Sequence, residues 1–387
     1  MSRLVKLIQA FCPNGVEYKE LLHAVSIKRG KRVVREQLEE TGLYPVYQNS
    51  LTPLGYHSQW NYPAGTTFLI VAGAAGEIGY STCNFWAADD CFPLVCCENL
   101  SSRYLYHVML WLQPTILSRV RKASIPRLSR DSIERLSIPV PPLEVQHEIV
   151  RILDTFTELT AELTAELTAR KKQYAYYRDK LLTPRTDYRH GKIIDMLKQP
   201  ITDGPHTTPE LMEDGIPFLS VEAVFDGKIH FEKRRGNITP EFDAECCKKY
   251  KPQKHDIFMV KSGSTTGKVG YVDTDERFNI WSPLAAMRVN SENSSRYLFH
   301  LLQSKMVQQQ VVAKASHGSQ PNLSMRALEQ FDVVIPPLDI QLRLANVLDN
   351  FDAICTDLSS GLPAEIEARQ KQYEYYRDKL LTFTPAD

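Results

Sequence analysis

The chain has 387 residues, 43% of them hydrophobic and 24% charged, a balance that suits globular structure and excludes a disordered or fibrous chain. Its 46 Lys/Arg and 46 Asp/Glu cancel, which argues against a general polyanion binder, and no apolar run approaches the roughly 18 residues of a membrane span. The eight cysteines form no Cys-x-x-Cys and no finger spacing with histidine, and the opening residues lack a signal peptide's apolar core, so free thiols in a reducing, cytoplasmic setting are expected and a metal site is not.

Residues 1–142 read as a first mixed α/β domain. A strand is expected at 67–71, followed by a Gly-rich turn, and an amphipathic helix at 103–112. Residues 1–143 carry 15 Lys/Arg against 11 Asp/Glu, so any basic surface is local. After Pro141-Pro142, apolar residues at Ile149, Ile152, Leu153, Phe156, Leu159, Leu163, Leu167, Tyr174, Tyr177 and Leu181 recur in steps of three, four and, once, seven residues. They predict one long helix over 143–184, closed by Pro184. Residues 185–337 read as a second mixed α/β domain, with a strand at 256–260 and a helix at 296–303. Residues 338–382 form a second long helix with Leu348, Phe351, Tyr373 and Tyr376 on its apolar face. Ser359-Ser360-Gly361-Leu362-Pro363 predicts a break near 359–363. Residues 383–387 are a tail. This last stretch is acidic, with 5 Lys/Arg against 9 Asp/Glu over 338–387.

The chain repeats itself. Residues 170–183, RKKQYAYYRDKLLT, match residues 369–382, RQKQYEYYRDKLLT, at twelve of fourteen positions with an offset of 199. Pro141-Pro142-Leu143-x-x-Gln146 matches Pro336-Pro337-Leu338-x-x-Gln341 at 195, and Ser101-Ser102-Arg103-Tyr104-Leu105 matches Ser294-Ser295-Arg296-Tyr297-Leu298 at 193. Lys122-Ala123-Ser124 matches Lys314-Ala315-Ser316. Similarity is strongest at the end of each unit and weak at its start. A duplication that keeps one part and lets the other diverge suggests a shared scaffold carrying two different binding faces.

Motifs for catalysis are missing. Gly263-Ser-Thr-Thr-Gly267-Lys268-Val269 has three residues between glycines where a phosphate loop needs four, and Val269 stands where a magnesium-binding hydroxyl belongs, so it reads as a tight turn. No nucleophile elbow, zinc-protease helix or dinucleotide fingerprint occurs. The Asn/Asp-Pro-Pro-Tyr/Phe signature of an adenine methyltransferase is absent too. A binding module is favoured over an enzyme.

Nucleic acid is the ligand that the loops favour. Lys28, Arg29, Lys31 and Arg32, with Arg35 close behind, suit phosphate contacts. Lys233 and Arg234 form a weaker second run. Gln48 and Asn49 carry amides able to read adenine, while His206, Thr207, Lys261, Ser262, Ser264, Thr265 and Lys268 sit in polar, Gly-containing loops within reach of phosphates or base edges.

The order of divergent domain, Pro-Pro-Leu-x-x-Gln, long helix and Lys-Gln-Tyr-x-Tyr-Tyr-Arg-Asp-Lys-Leu-Leu, given twice, resembles the DNA-specificity (S) subunits of type I restriction-modification systems over the whole chain. The Thr-Ala-Glu-Leu run at 158–169, Gly361-Leu362-Pro363 and Cys12-Pro13-Asn14-Gly15-Val16-Glu17-Tyr18 fit as well. The resemblance implies an α/β (mixed α+β) architecture with a pseudo-two-fold repeat. Two target-recognition domains would be separated by two long antiparallel helices. Each domain would read one half of a split, asymmetric site in double-stranded DNA. The helices, with the apolar residues named above, would dock two methyltransferase (M) subunits. Two restriction (R) subunits would complete the complex. The chain itself would have no cofactor: S-adenosylmethionine, ATP and magnesium would belong to the partners. A related system in which methyltransferase and nuclease share one partner chain is the alternative reading. A fused enzyme and a scaffold without a DNA role are the competing classes.

Overall fold

The computed structural model describes residues 3–183, 187–316, 320–356 and 361–386, leaving aside the side chain of Arg35. Pro184 and the Ser359-Ser360 part of the expected break lie outside the described residues. The chain forms two compact units. One comprises residues 1–163 and 366–387, the other residues 164–365.

The first unit is built on a four-stranded antiparallel sheet in the order Val25–Ile27, Cys91–Cys96, Thr66–Ile70, Ile78–Ser81. Thr66–Ile70 is buried at every position, as a short apolar run in a central strand should be. A three-stranded sheet, Gly55–His57, Tyr44–Tyr47, Trp86–Ala87, joins an antiparallel pair to a parallel one. Tyr18–Glu20 pairs with Ser137–Pro139 just before the long helix.

The second unit repeats this plan strand for strand. Its sheets run Thr202–Asp203, Leu284–Met287, Ile257–Val260, Val269–Tyr271 and Gly236–Ile238, Ile216–Leu219, Asn279–Ile280, with Arg189–Lys192 paired to Asp332–Ile335. The parallel step recurs as well, Phe218 against Asn279 where the first unit has Val46 against Trp86. The parts that diverge in sequence therefore share one topology. The second unit adds the hairpin Val224–Phe225/Lys228–Ile229 and the helix Pro240–Lys249.

The motifs kept between the repeats hold helices in place. Gln146 and Gln341 are fully buried. Gln146 accepts from Ser101 N at 2.8 Å and donates to Pro141 O at 2.7 Å, while Gln341 accepts from Ser294 N at 2.9 Å and donates to Pro336 O at 2.8 Å. Ser101 and Ser294 also cap the helices Ser102–Ser118 and Ser295–Gln303, each accepting from a tyrosine amide three residues on. The Pro-Pro-Leu-x-x-Gln motif thus fastens the start of each long helix to the capped helix of its domain.

The helix Leu143–Leu181 runs unbroken for 39 residues. The second copy is two helices, Leu338–Thr356 and Leu362–Leu381. In the first unit Tyr373 and Leu381 share a core with Tyr104, Ile149 and Leu153. In the second, Tyr174 and Leu182 share one with Tyr297 and Leu348. Each unit therefore buries a helix end supplied by the other repeat.

Each buried end carries the same polar latch. His107 is fully buried, with Nε2 2.8 Å from Asp154 Oδ1 and Nδ1 3.1 Å from Tyr373 Oη. A carboxylate can only accept, so Nε2–H donates to Asp154 and the Tyr373 hydroxyl donates to Nδ1. Arg103 Nε donates to Asp154 at 2.9 Å, and its guanidinium lies 4.5 Å from the Tyr80 ring. In the second unit His300 stands between Asp349 at 2.6 Å and Tyr174 at 2.9 Å, with Arg296 on Asp349 and 4.5 Å from the Tyr271 ring. Burial lowers the pKa of both histidines despite their carboxylate neighbours. Burial alone would raise Asp154 and Asp349, but the histidine and arginine bonds hold both below the ordinary carboxylate range.

All eight cysteines are free; Cys12, Cys91, Cys246 and Cys355 are buried, whereas Cys83 and Cys97 are exposed. No helix among the described residues is long and apolar enough to cross a membrane.

Candidate nucleic-acid interface

In the first unit three candidate residues converge. Arg32, Gln48 and Asn49 line one open groove of about 470 Å³ with Val33, Glu36, Ala88 and Asp89. The path that brings them together needs glycine. Gly30 passes so close to the end of the strand Trp86–Ala87 that a Cβ there would sit 1.9 Å from Ala88 O. Lys31 N then donates to Ala87 O at 2.8 Å, and Trp86 Nε1 donates to Lys31 O at 2.8 Å. The backbone of the basic run is thereby tied down while its side chains stay exposed. Among the described residues no carboxylate lies within ion-pair distance of Lys28, Arg29, Lys31 or Arg32, and the Lys31 ammonium sits 5.9 Å from the Trp86 ring centroid. Uncommitted cations of this kind suit phosphate contact.

The loop after Asp203 holds the matching place in the second unit. A Cβ on Gly204 would lie 1.8 Å from Ile280 O, and Ser282 N donates to Pro205 O at 3.2 Å. His206 and Thr207 follow, both exposed. Composition picked out the 28–32 and 206–207 loops separately. The structure shows that they leave the same sheet position in the two units.

The Gly263–Gly267 loop is the expected tight turn, with both glycines at positive φ and Thr266 N donating to Gly263 O at 3.1 Å. Ser264 and Lys268 are exposed, whereas Ser262 and Thr265 are half-buried. Lys261 differs from Lys268. Its ammonium lies 3.1 Å from Oδ2 of Asp203, which is 1% exposed and also paired with Lys249. Burial would raise the Asp203 carboxyl, but the two lysines hold it below its usual range. Lys261→Ala should therefore destabilise the second unit through a buried carboxylate left short of charge, whereas Lys268→Ala should leave its melting temperature unchanged and lower only DNA affinity. Thermal melts of the two variants, beside binding at two salt concentrations, check this. Equal melting temperatures would refute the structural role of Lys261.

Lys233 and Arg234 are exposed at the end of a single turn, Phe231–Lys233. Arg235, beside them, has the more defined position. Its guanidinium stacks 3.8 Å from the Trp281 ring centroid, and its amide donates to Phe218 O. No sequence signal separates Arg235 from its two neighbours, because Trp281 is brought to it only by the sheet.

The residues expected to dock subunits are largely occupied inside their own units. Leu153 and Leu348 are fully buried, and Tyr174 and Tyr373 form the latches. Phe156 stacks on Tyr376 at 5.3 Å, and Phe351 on Tyr177 at 5.7 Å. Leu163 and Leu167 are half-buried. Tyr176 and Tyr375, 61% and 60% exposed, remain on the surface together with Leu342, Val347, Ile354 and Tyr376.

The fold is that of a duplicated α/β unit with differing loops on a constant frame, fastened to long helices. The family model for the type I restriction modification DNA specificity domain matches residues 13–170 and again 205–368, and the chain belongs to this family. It is 31% identical to a putative type I restriction enzyme specificity subunit of Haemophilus influenzae, over 98% of both chains. It is also 31% identical to the EcoR124I/EcoR124II specificity subunit of Escherichia coli, over 85% of this chain and 88% of that one. The type I restriction-modification S subunit of M. genitalium shares the fold, with a TM-score of 0.59 at 16% identity over 95% of this chain and 96% of that one. A chain from a study of complex assembly and conformational transition in a type I system shares it too, with a TM-score of 0.58 at 14% identity over 95% and 98%. The chain is thus a DNA-specificity subunit, a non-catalytic role in target recognition, and its relatives are subunits of type I enzymes rather than of fused methyltransferase-nucleases.

Proposed function

We propose that the two units each read one half of a bipartite, asymmetric DNA site, and that the helices dock two methyltransferase subunits and set the unread spacer between the halves. One observation carries this reading: the same strand order and the same helix latch occur twice, while the loops at matching positions differ in chemistry, Lys31-Arg32 in one unit and His206-Thr207 in the other. A constant frame with different loops suits two different half-sites. Partner subunits would supply adenine N6 methylation with S-adenosylmethionine, and two restriction subunits would add ATP- and magnesium-dependent cleavage. This chain would contribute recognition and geometry, through phosphate-contacting cations and base-reading polar side chains.

The test is methylation mapping. The chain alone should transfer no methyl groups. With its methyltransferase subunit it should direct adenine methylation to one bipartite motif. Exchanging residues 1–140 for the matching domain of another specificity subunit should change one half of the motif only. Changes in both halves, or methyl transfer by the chain alone, would refute the reading.

A further inference from the structure

The first unit carries a basic hairpin that none of the loop motifs points to. Residues 119–130 hold Arg119, Arg121, Lys122, Arg127 and Arg130 and no acidic residue. Arg121 N donates to Arg127 O at 2.9 Å and Arg127 N returns to Arg121 O at 3.3 Å, so both arginines leave the chain from one hydrogen-bonded pair. Arg119 is spent on Ser132 O and Arg130 on Glu134. Arg121, Lys122 and Arg127 are exposed, and among the described residues no carboxylate lies within ion-pair distance of any of them.

The hairpin is built into the candidate interface. Arg127 bridges to Ala72, and Gly73 N donates to Pro126 O at 3.2 Å. Gly73 is packed so closely on Asn49 that a Cβ would lie 2.8 Å from Asn49 O, and Ala74 N donates to that same oxygen. Asn49 lines the groove with Arg32 and Gln48. A continuous series of backbone contacts therefore links the three free cations to the groove. We propose that Arg121, Lys122 and Arg127 form a further DNA contact of the first unit, gripping the phosphate backbone beside the half-site that this unit reads. The proposal rests on the DNA-reading role argued above.

In the second unit the described residues at the matching place, Ser316, Pro321 and Asn322, make the same bonds with different chemistry. Ser316 N donates to Asn322 O at 3.0 Å, Ser262 bridges to Asn322, and Gly263 N donates to Pro321 O. Matched by these bonds, Arg121 corresponds to Ser316 and Arg127 to Asn322, an offset of 195. The Lys-Ala-Ser match at 122 and 314 has an offset of 192 and is not the structural equivalence. The charged grip is therefore specific to the first unit.

The test uses the complex with its methyltransferase subunit. Binding to a DNA duplex that contains the mapped motif is measured from low to moderate salt. Arg121→Gln with Arg127→Gln should make the log–log salt slope shallower by about 1.8, roughly 0.9 per phosphate contact. Arg121→Lys with Arg127→Lys should keep the slope, and the methylated motif should be unchanged in both. An unchanged slope in the Gln variant, beside a reduced one for Lys28→Ala with Arg29→Ala, would overturn the hairpin proposal and leave the DNA-reading role standing. Loss of subunit assembly with an unchanged slope would assign the hairpin to a protein contact and overturn the proposal as well. A wild-type complex that binds the mapped duplex no more tightly than an unrelated one would instead refute the DNA-reading role.

Discussion

His107→Ala is expected to destabilise the first unit by on the order of 3 kcal/mol, and His300→Ala the second by a similar amount. Each substitution empties a fully buried site and strands two partners, the Tyr373 hydroxyl and Asp154 in one case, Tyr174 and Asp349 in the other. For units of this size the melting temperature should drop by about 6–12 °C. Tyr373→Phe removes one bond and should cost about 1–2 kcal/mol. Because His107 and Tyr373 are 266 residues apart, this loss loosens the end of the second repeat's helix from the first unit. A double-mutant cycle over the two residues should return a coupling of at least about 0.5 kcal/mol. Strict additivity would show that the latch does not act as one network.

The latch also predicts an acid sensitivity. Burial lowers the pKa of both folded histidines from 6.5, so below that value the unfolded chain binds protons that the folded chain excludes. Stability is then complete above pH 6.5 and falls as the pH drops through it towards the lowered folded values. Asp154 and Asp349, lowered from 3.8, add stability above that value that is lost only under stronger acid. Melting temperatures followed from pH 7.5 to 5 should fall, and fall less steeply in His107→Ala. Parallel curves for the variant and the parent would refute the assignment.

What the sequence makes legible is what local chemistry dictates. Helix periodicity and the repeated motifs locate the long helices, the helix 143–181 ending three residues short of the expected boundary at Pro184. The strands expected at 67–71 and 256–260 lie at Thr66–Ile70 and Ile257–Val260. The common sheet order of the divergent halves leaves no residue match, because strand pairing joins backbone groups and tolerates any pair of apolar side chains. Gly30 and Gly204 show the same limit. Each is demanded by a carbonyl that arrives from more than fifty positions away along the chain. Tyr174 and Tyr373 fall on an apolar helical stripe and read as docking residues. The stripe gives no sign that their hydroxyls bond a buried histidine, which only the fold places beside them. Loop composition picked out cations in polar loops, but it could not separate Lys261, committed to Asp203, from Lys268, which is exposed.

Deleting residues 160–163 is expected to shorten the unread spacer of the DNA site by one base pair and to leave both half-sites unchanged. The segment is one of two consecutive Thr-Ala-Glu-Leu copies inside the unbroken helix Leu143–Leu181. Thr160 Oγ1 donates to Phe156 O at 2.9 Å and Thr168 Oγ1 to Thr164 O at 3.0 Å, so these threonines are satisfied within the helix. Leu163 and Leu167 are half-buried, while Ala161, Glu162, Ala165 and Glu166 are exposed. The run thus adds length while burying little, and Ala, Glu and Leu favour helix. Removing one copy takes out about 6 Å of rise and roughly 400° of rotation, a net turn near 40° for everything further along the helix. One DNA base pair corresponds to roughly 3.4 Å and 35°. The rotation matches one base pair, whereas the rise approaches two. A helix pair can slide by a few ångströms more easily than a binding face can turn away from its groove, so the angle should decide. Sequencing the methylated sites made by the deletion variant with its methyltransferase subunit gives the answer. An active variant with the parental spacer would reduce the run to helical filler, and new bases in either half-site would show that the deletion disturbs reading rather than spacing.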